Sequence, residues 1–136
     1  MLHGSGRSPF DQQNTLWAAF VVEASGHKIY YAGDPGYADG RLFRDTRLKY
    51  GGFDLAILPI GAYEPKSFMK DAHMTPAEAV MAAEDVGAKR ALAHHFGAFP
   101  LGFESVLAPH DERATNAQED SRNAKKSQLI TKHPGC

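Results

Sequence analysis

The sequence predicts a mixed α/β (α+β) fold, in which helices cover a buried sheet. Apolar runs of strand length alternate with two helical patterns, turn residues separate these segments, and one helix carries signals at both of its ends. The chain has 136 residues, the size of a single domain. We therefore expect a single layered domain.

Strands are predicted wherever aromatic and β-branched residues form short apolar runs. The run 15–24 is nearly continuous and is typical of a largely buried strand. Ser25-Gly26 then indicates a hairpin turn into a second strand at 28–32. Two further strands are predicted at 53–60, where Pro59 marks the end, and at 89–94.

Two helices are predicted between these strands. Residues 40–50 place their apolar side chains near helical spacing. The second helix has stronger signals, because Thr75 is a good N-cap, Pro76 takes the first helical position and Glu78 completes a capping box. Gly87 is expected to end this helix.

The composition changes near the end of the chain. We expect residues 1–108 to form the folded part and 109–136 to form a polar tail that is partly disordered. Residues 110–128 contain no aromatic residue and no aliphatic residue larger than alanine. Residues 128–132 are predicted to add a last short strand.

Charge and composition exclude several classes of protein. The net charge is −1 and no basic stripe is visible, so no nucleic-acid partner is expected. The single cysteine, Cys136, cannot form an intrachain disulfide. No apolar run approaches the roughly 20 residues of a membrane span, and no signal-peptide core is visible. We expect a cytoplasmic or peripheral membrane protein, and homo-oligomerisation stays open.

Three candidate metal ligands stand near strand ends: His3, Asp34 and His95. Imidazole and carboxylate groups suit zinc, iron or manganese, and a bridging carboxylate can serve two metals. Spacing alone leaves the alternatives open. Asp34 lies in a Gly-Asp-Pro-Gly turn and could be only a turn former, and His94-His95 could be a packed pair.

Several blocks of the sequence occur in the order of a known family. They are His3–Arg7, Thr15–Trp17, Tyr31–Tyr37, Phe53–Pro65, Met69–Val80 and Ala93–Leu101. Across residues 1–105 the chain resembles the carboxyl-terminal half of a metallo-β-lactamase-fold hydrolase. Within that superfamily it is most similar to the N-acyl-phosphatidylethanolamine-hydrolysing phospholipase D group. The resemblance implies half of a four-layer αββα sandwich, with residues 1–108 as part of that domain.

The resemblance also implies roles for individual residues. His3, Asp34 and His95 match metal ligands, with Asp34 as the bridge between two metals, zinc or iron. His73 matches a histidine near the substrate phosphate, so it would be an acid or a phosphate contact, with a structural role before the helix cap as the alternative. Tyr63 and Glu64 match a loop at the rim of the site, where packing is an equally good interpretation.

The implied activity is metal-dependent hydrolysis of a phosphodiester in a phospholipid or another small molecule. One part of the family pattern is missing, because no His-x-His-x-Asp-His run occurs in the 136 residues. That run supplies further ligands to both metals. We therefore expect the chain alone to be inactive or impaired. The alternative is a non-catalytic fragment that needs a partner supplying the amino-terminal half.

Overall fold

The structure is a computed structural model that describes residues 2–3, 17–98, 108–109 and 128–129. Side chains are described for residues 18–98 and 108–109. In chain order the elements are β1 (Leu2–His3), β2 (Trp17–Ala18), β3 (Phe20–Ala24), β4 (His27–Tyr31), α1 (Arg41–Tyr50), β5 (Leu55–Pro59), α2 (Lys66–Met69), α3 (Pro76–Val86), β6 (Arg90–His94) and β7 (Gln128–Leu129). This order confirms the mixed α/β prediction.

A five-stranded sheet in the order β3-β4-β5-β6-β7 forms the centre of the fold, and β1 pairs with β2 in a separate ribbon. β3 and β4 are antiparallel, whereas β4, β5, β6 and β7 run parallel to one another. The carboxyl ends of β4, β5 and β6 therefore lie along one edge of the sheet, where polar groups from three loops can meet. The predicted last strand is present as β7, while residues 130–132 lie outside the described part.

The predicted hairpin joins β3 to β4. Ala24 and His27 are opposite each other in register, and the two residues between them have positive φ, 51° at Ser25 and 77° at Gly26. This is the backbone of a type I′ turn, whose twist matches that of the flanking strands. The turn residues therefore set the register of the hairpin.

One face of the sheet is covered by α1 and α3. Its inward side chains are buried with those of the two helices, among them Tyr30, Ala56, Leu58, Phe43 and Val86. Phe43 meets the Tyr30 ring edge to face, with centroids 6.3 Å apart. This layer is the hydrophobic core, and it packs against β4, β5 and β6, the strands whose carboxyl ends lead into the loops at the sheet edge.

The opposite face, here called the open face, carries a row of exposed apolar side chains. Phe20 is 59% exposed, Val22 49%, Tyr31 38% and Leu92 39%. The expectation that 15–24 is a largely buried strand is therefore wrong for its described part. Among the described strands, β3 pairs only with β4, and every second side chain on β3 points to the open face. An apolar run cannot show whether a second layer is present to bury it.

α3 has the predicted end signals. The Thr75 hydroxyl accepts a hydrogen bond from the Glu78 backbone N–H, and the Glu78 carboxylate accepts one from the Thr75 N–H. Gly87 ends the helix in the left-handed conformation, with φ 73°. In the described part, no helix is long and apolar enough to cross a membrane.

Candidate metal centre

Three side chains converge at the edge where the parallel strands end. Asp34 follows β4, His95 follows β6, and His73 precedes α3. Each of the three offers one ligand atom, and these atoms all lie within 4.8 Å of one another. Sequence spacing pointed to Asp34 and His95, and the structure brings His73 to the same point.

Asp34 lies between the two histidines. Its Oδ1 is 3.1 Å from Nδ1 of His73, and its Oδ2 is 3.4 Å from Nε2 of His95. The two imidazole rings stack, with centroids 5.7 Å apart and planes 17° from parallel. The three side chains are between 20% and 28% exposed, so a ligand from solvent can still reach them.

The backbone at both strand ends turns sharply to present these side chains. The last β4 contact toward β5 is the Ala32 N–H, which donates to the Ile57 carbonyl at 3.0 Å. Gly33 then takes φ 75°, which turns Asp34 away from the sheet. His95 itself has φ 61°, an uncommon conformation for a residue with a side chain. Such strain is found at functional sites more often than elsewhere.

Two glycines allow the loops around the centre to pack closely. A Cβ on Gly61 would lie 2.0 Å from the His95 carbonyl oxygen. A Cβ on Gly36 would lie 2.8 Å from the carbonyl oxygen of Asp71, in the loop that carries His73. Neither contact leaves room for a side chain, so both glycines help to set where the two histidines sit.

His94 lies beside the centre but outside the group of three. The centroid of its ring lies 5.2 Å from that of the Tyr31 ring. Burial lowers the pKa of His94, and the neighbouring His95 lowers it further, while Asp34 acts in the opposite direction. Nε2 of His94 is buried and has no hydrogen-bond partner among the described residues.

The other predicted site residues are not members of this group of three. Tyr63 is buried, 3% exposed, which fits packing beneath the loop better than direct exposure to a ligand. Glu64 is half-buried, and its carboxylate accepts a hydrogen bond from the Lys66 backbone N–H at 3.2 Å. His3 lies in β1 opposite Trp17, and its side chain is outside the described part. Its predicted role as a ligand stays a prediction.

The donor set fits a divalent transition metal. Two imidazoles and a carboxylate are ligands for zinc and for non-haem iron. Around a tetrahedral zinc ion with bonds of about 2.0 Å, neighbouring donor atoms stand ~3.3 Å apart. The observed 3.1 and 3.4 Å contacts are close to that separation, although they end on different oxygens of Asp34. The 3.1 Å contact also has the length of a hydrogen bond, so the same geometry suits a His–Asp pair.

Comparison with known proteins agrees with this fold. The family model "Beta-lactamase superfamily domain" matches residues 1–96. N-acyl-phosphatidylethanolamine-hydrolyzing phospholipase D 1 of Caenorhabditis elegans is 37% identical over 124 residues, which cover 89% of this chain and 35% of that protein. A UPF0173 metal-dependent hydrolase of Methanocorpusculum labreanum is 40% identical over 82 residues, 60% of this chain and 32% of that protein.

A solved structure shares the fold. The metallo-beta-lactamase fold protein YhfI of Bacillus subtilis superposes with a TM-score of 0.55 at 24% identity, over 84% of this chain and 41% of that one. The chain thus spans about a third of the length of the two curated relatives. With a family match over residues 1–96, this chain belongs to the beta-lactamase superfamily and has part of the metallo-β-lactamase fold.

Proposed function

We propose that this chain carries part of the reaction centre of a metal-dependent hydrolase that cleaves phosphodiesters. The observation that carries the proposal is the convergence of Asp34, His73 and His95 within 4.8 Å at one sheet edge. Two relatives support it, one described as a metal-dependent hydrolase and one as a phospholipase D. Ligands sit at this edge in open parallel sheets because the strand ends leave a crevice there.

Asp34 and His95 would hold the metal, together with His3 as the resemblance implies. Asp34 offers two oxygens in two directions, so it can serve as the bridge between two ions. When bound, zinc or iron supplies positive charge that lowers the pKa of a water molecule and stabilises negative charge on the phosphate. The half-buried positions of Asp34 and His95 strengthen such interactions relative to open water.

His73 is suited to carry the proton for the leaving group. Its Nδ1 faces the Asp34 carboxylate at 3.1 Å, so the carboxylate stabilises the ring when both nitrogens are protonated. Nε2 is then the nitrogen from which a proton can pass to the departing alkoxide oxygen. In this arrangement Asp34 orients His73 in addition to holding the metal.

The proposed substrate is an N-acylated phosphatidylethanolamine. Water adds to phosphorus and the bond from phosphorus to the headgroup oxygen breaks, so the products are phosphatidic acid and an N-acylethanolamine. An exposed aromatic side chain on α2, the helix that precedes His73 in the chain, supports contact with a lipid surface. Phe68 on α2 is 80% exposed and lies between the exposed Lys66 and Lys70. An aromatic ring can enter the interface while the lysines meet anionic headgroups.

Flotation with vesicles of phosphatidylcholine and phosphatidic acid tests this contact. Losing the burial of one aromatic side chain costs roughly 2 kcal/mol, so Phe68→Ser should lower the partition coefficient about 30-fold. Leu48→Ser is the matched control, because Leu48 is 86% exposed on α1, away from the centre. Equal binding by the two variants would contradict the membrane contact.

The open face favours a second candidate, a fragment that acts only with a partner supplying the amino-terminal half. Phe20, Val22, Tyr31 and Leu92 form an exposed apolar row across the sheet. Rows of this kind mark surfaces that are covered in the functional assembly. In this case Asp34 and its neighbours complete a site to which the partner adds the remaining ligands.

One assay distinguishes the two candidates. The purified chain is supplied with zinc or iron and tested on bis(p-nitrophenyl) phosphate and on N-acyl-phosphatidylethanolamine vesicles, beside Asp34→Asn. Hydrolysis that is lost in Asp34→Asn supports the hydrolase. Hydrolysis that needs an added amino-terminal half of a relative supports the fragment. No hydrolysis under either condition contradicts both.

A further inference from the structure

Tyr37, Arg44 and Asp85 form a hydrogen-bonded cluster outside the group of three candidate ligands. Oδ2 of Asp85 accepts a hydrogen bond from the Tyr37 hydroxyl at 2.8 Å and another from Nη1 of Arg44, also at 2.8 Å. Nη2 of Arg44 donates to the Asp39 carbonyl oxygen at 2.8 Å. Tyr37 belongs to the loop after β4, Arg44 to α1 and Asp85 to α3, so the cluster joins three segments at one carboxylate oxygen.

The backbone passes close to this cluster at Gly40. The three polar atoms of the cluster would lie between 2.4 and 2.6 Å from a Cβ on Gly40, so a side chain there would displace them. The Tyr37 ring also stacks on Phe43, with centroids 5.9 Å apart and planes 15° from parallel. Tyr37 is therefore held by its ring as well as by its hydroxyl.

Tyr37 is the first residue after Asp34 whose side chain can form a hydrogen bond. The two residues between them, Pro35 and Gly36, have no polar side chain. Pro35 is fully buried, and its ring fixes one backbone torsion. Three residues of chain span at most about 11 Å, so the place of Tyr37 limits where the Asp34 backbone can lie. The hydroxyl contact with α3 thus restrains the loop that carries Asp34.

The helix that holds this loop also follows His73. α3 begins three residues after His73, and Asp85 lies near its other end. The loop also contacts the segment before α3, since a Cβ on Gly36 would lie 2.8 Å from the Asp71 carbonyl oxygen. The loop therefore contacts α3 and the segment before it at two points. These two contacts fix the position of Asp34 relative to His73.

We propose that Tyr37 and Asp85 are positioning residues, whose hydrogen bond holds the loop after β4 against α3 and so aligns Asp34 with His73. Neither residue belongs to the group of three ligands. The proposal rests on the proposed function, in which Asp34 holds the metal. Partners outside the ligand shell typically change metal affinity by about 10–100-fold. Because this contact acts through three residues of chain, we expect an effect at the lower end, about 10-fold.

Three variants and a control separate the hydrogen bond from charge and from packing. Both donors reach the same oxygen of Asp85, so the single carbonyl oxygen of Asp85→Asn can accept both bonds, whereas Asp85→Leu accepts none. Tyr37→Phe keeps the ring on Phe43 and removes only the hydroxyl. Thr46→Val is the control, because it removes a hydroxyl that donates to the Leu42 carbonyl within α1.

Zinc affinity is measured by competition with a chromogenic chelator, and urea titration shows whether each variant folds. We expect Tyr37→Phe and Asp85→Leu to bind zinc about 10-fold more weakly than the unaltered chain, and Asp85→Asn and Thr46→Val to bind it as tightly. If Asp85 acted through its charge, Asp85→Asn would bind as weakly as Asp85→Leu. Equal affinity in Tyr37→Phe and Thr46→Val would show that the hydroxyl positions nothing. Either result overturns the proposal, and the second comparison decides even if Asp85→Leu does not fold.

A metal-free measurement separates this inference from the proposed function. In two-dimensional amide NMR spectra, the Asp34 signal should shift in Tyr37→Phe and Asp85→Leu but keep its position in Asp85→Asn and Thr46→Val. If the unaltered chain binds no zinc while the Asp34 signal behaves in this way, the proposed function fails and the positioning role stands. An Asp34 signal that is the same in all four variants overturns the positioning role.

Discussion

Replacing Gly61 by alanine should weaken metal binding without touching any proposed ligand. The added Cβ would lie 2.0 Å from the His95 carbonyl oxygen and 3.1 Å from the His95 carbonyl carbon. Both atoms are backbone, so no rotamer change relieves the clash. The loop after β6 must therefore move away from β5 by on the order of 1 Å, which carries the His95 ring with it.

The size of the effect follows from that displacement. A misplacement of about 1 Å in a site costs up to ~100-fold in activity, and a disturbed ligand shell costs about 10–100-fold in metal affinity. Unlike the glycines at hairpin and helix ends, Gly61 has no positive φ, so the substitution adds steric pressure and no dihedral strain. The expected result is a zinc affinity lower by about 10–100-fold in a chain that still folds.

Gly26→Ala is the matched control for this experiment. Gly26 lies in the β3–β4 turn with φ 77° and has no atom within 4 Å of its added Cβ, so alanine there strains the backbone far from the centre. It should lower the free energy of unfolding by about 1 kcal/mol in urea titrations and leave zinc affinity unchanged. A folded Gly61→Ala chain that binds zinc as tightly as Gly26→Ala would refute the role given to His95.

Three further predictions concern the fold around the centre. The hydrogen bond from Lys89 lowers the pKa of Asp54 to about 2, and the Lys28 backbone N–H adds to the shift. This carboxylate therefore stabilises the native state above its usual pKa, and the stabilisation is lost as pH falls from ~4 to about 2. Asp54→Asn should reduce the loss of unfolding free energy in that pH window of an acid titration. Thr75→Ala removes the cap of α3 and should cost about 1 kcal/mol in urea unfolding, because the Glu78 N–H loses its acceptor. Phe43→Ala opens the core beneath β4 and should cost about 3–5 kcal/mol; a loss below 1 kcal/mol in the same titration would contradict its central place.

Local signals in the sequence predicted much of the fold. The start of α3 was predicted from Thr75, Pro76 and Glu78, because a capping box depends only on residues close in sequence. The hairpin is equally local, since Ser25 and Gly26 supply both positive φ angles. α2 was not predicted, because a four-residue helix is too short to show a periodic pattern.

Contacts between distant segments could not be predicted in the same way. Asp34 and His73 are 39 residues apart, and nothing in that spacing shows that their side chains meet at 3.1 Å. The clash that excludes a side chain at position 61 also involves a distant segment, because the atom that an added Cβ would meet is the carbonyl oxygen of His95. The resemblance to a known family did supply His73 as a candidate, because it matches a histidine near the substrate phosphate.

The most direct test of the account is the metal stoichiometry of the chain and of Asp34→Ala. Equilibrium dialysis against zinc, followed by elemental analysis, gives bound metal per chain. Asp45→Ala is the control, because Asp45 is an exposed carboxylate on α1 that pairs with Arg41 outside the centre. We predict stoichiometric zinc in the unaltered chain and in Asp45→Ala, with affinity at least ~100-fold weaker in Asp34→Ala. Equal binding by the two variants, or less than stoichiometric zinc in the unaltered chain, would contradict the central claim that Asp34 holds a metal.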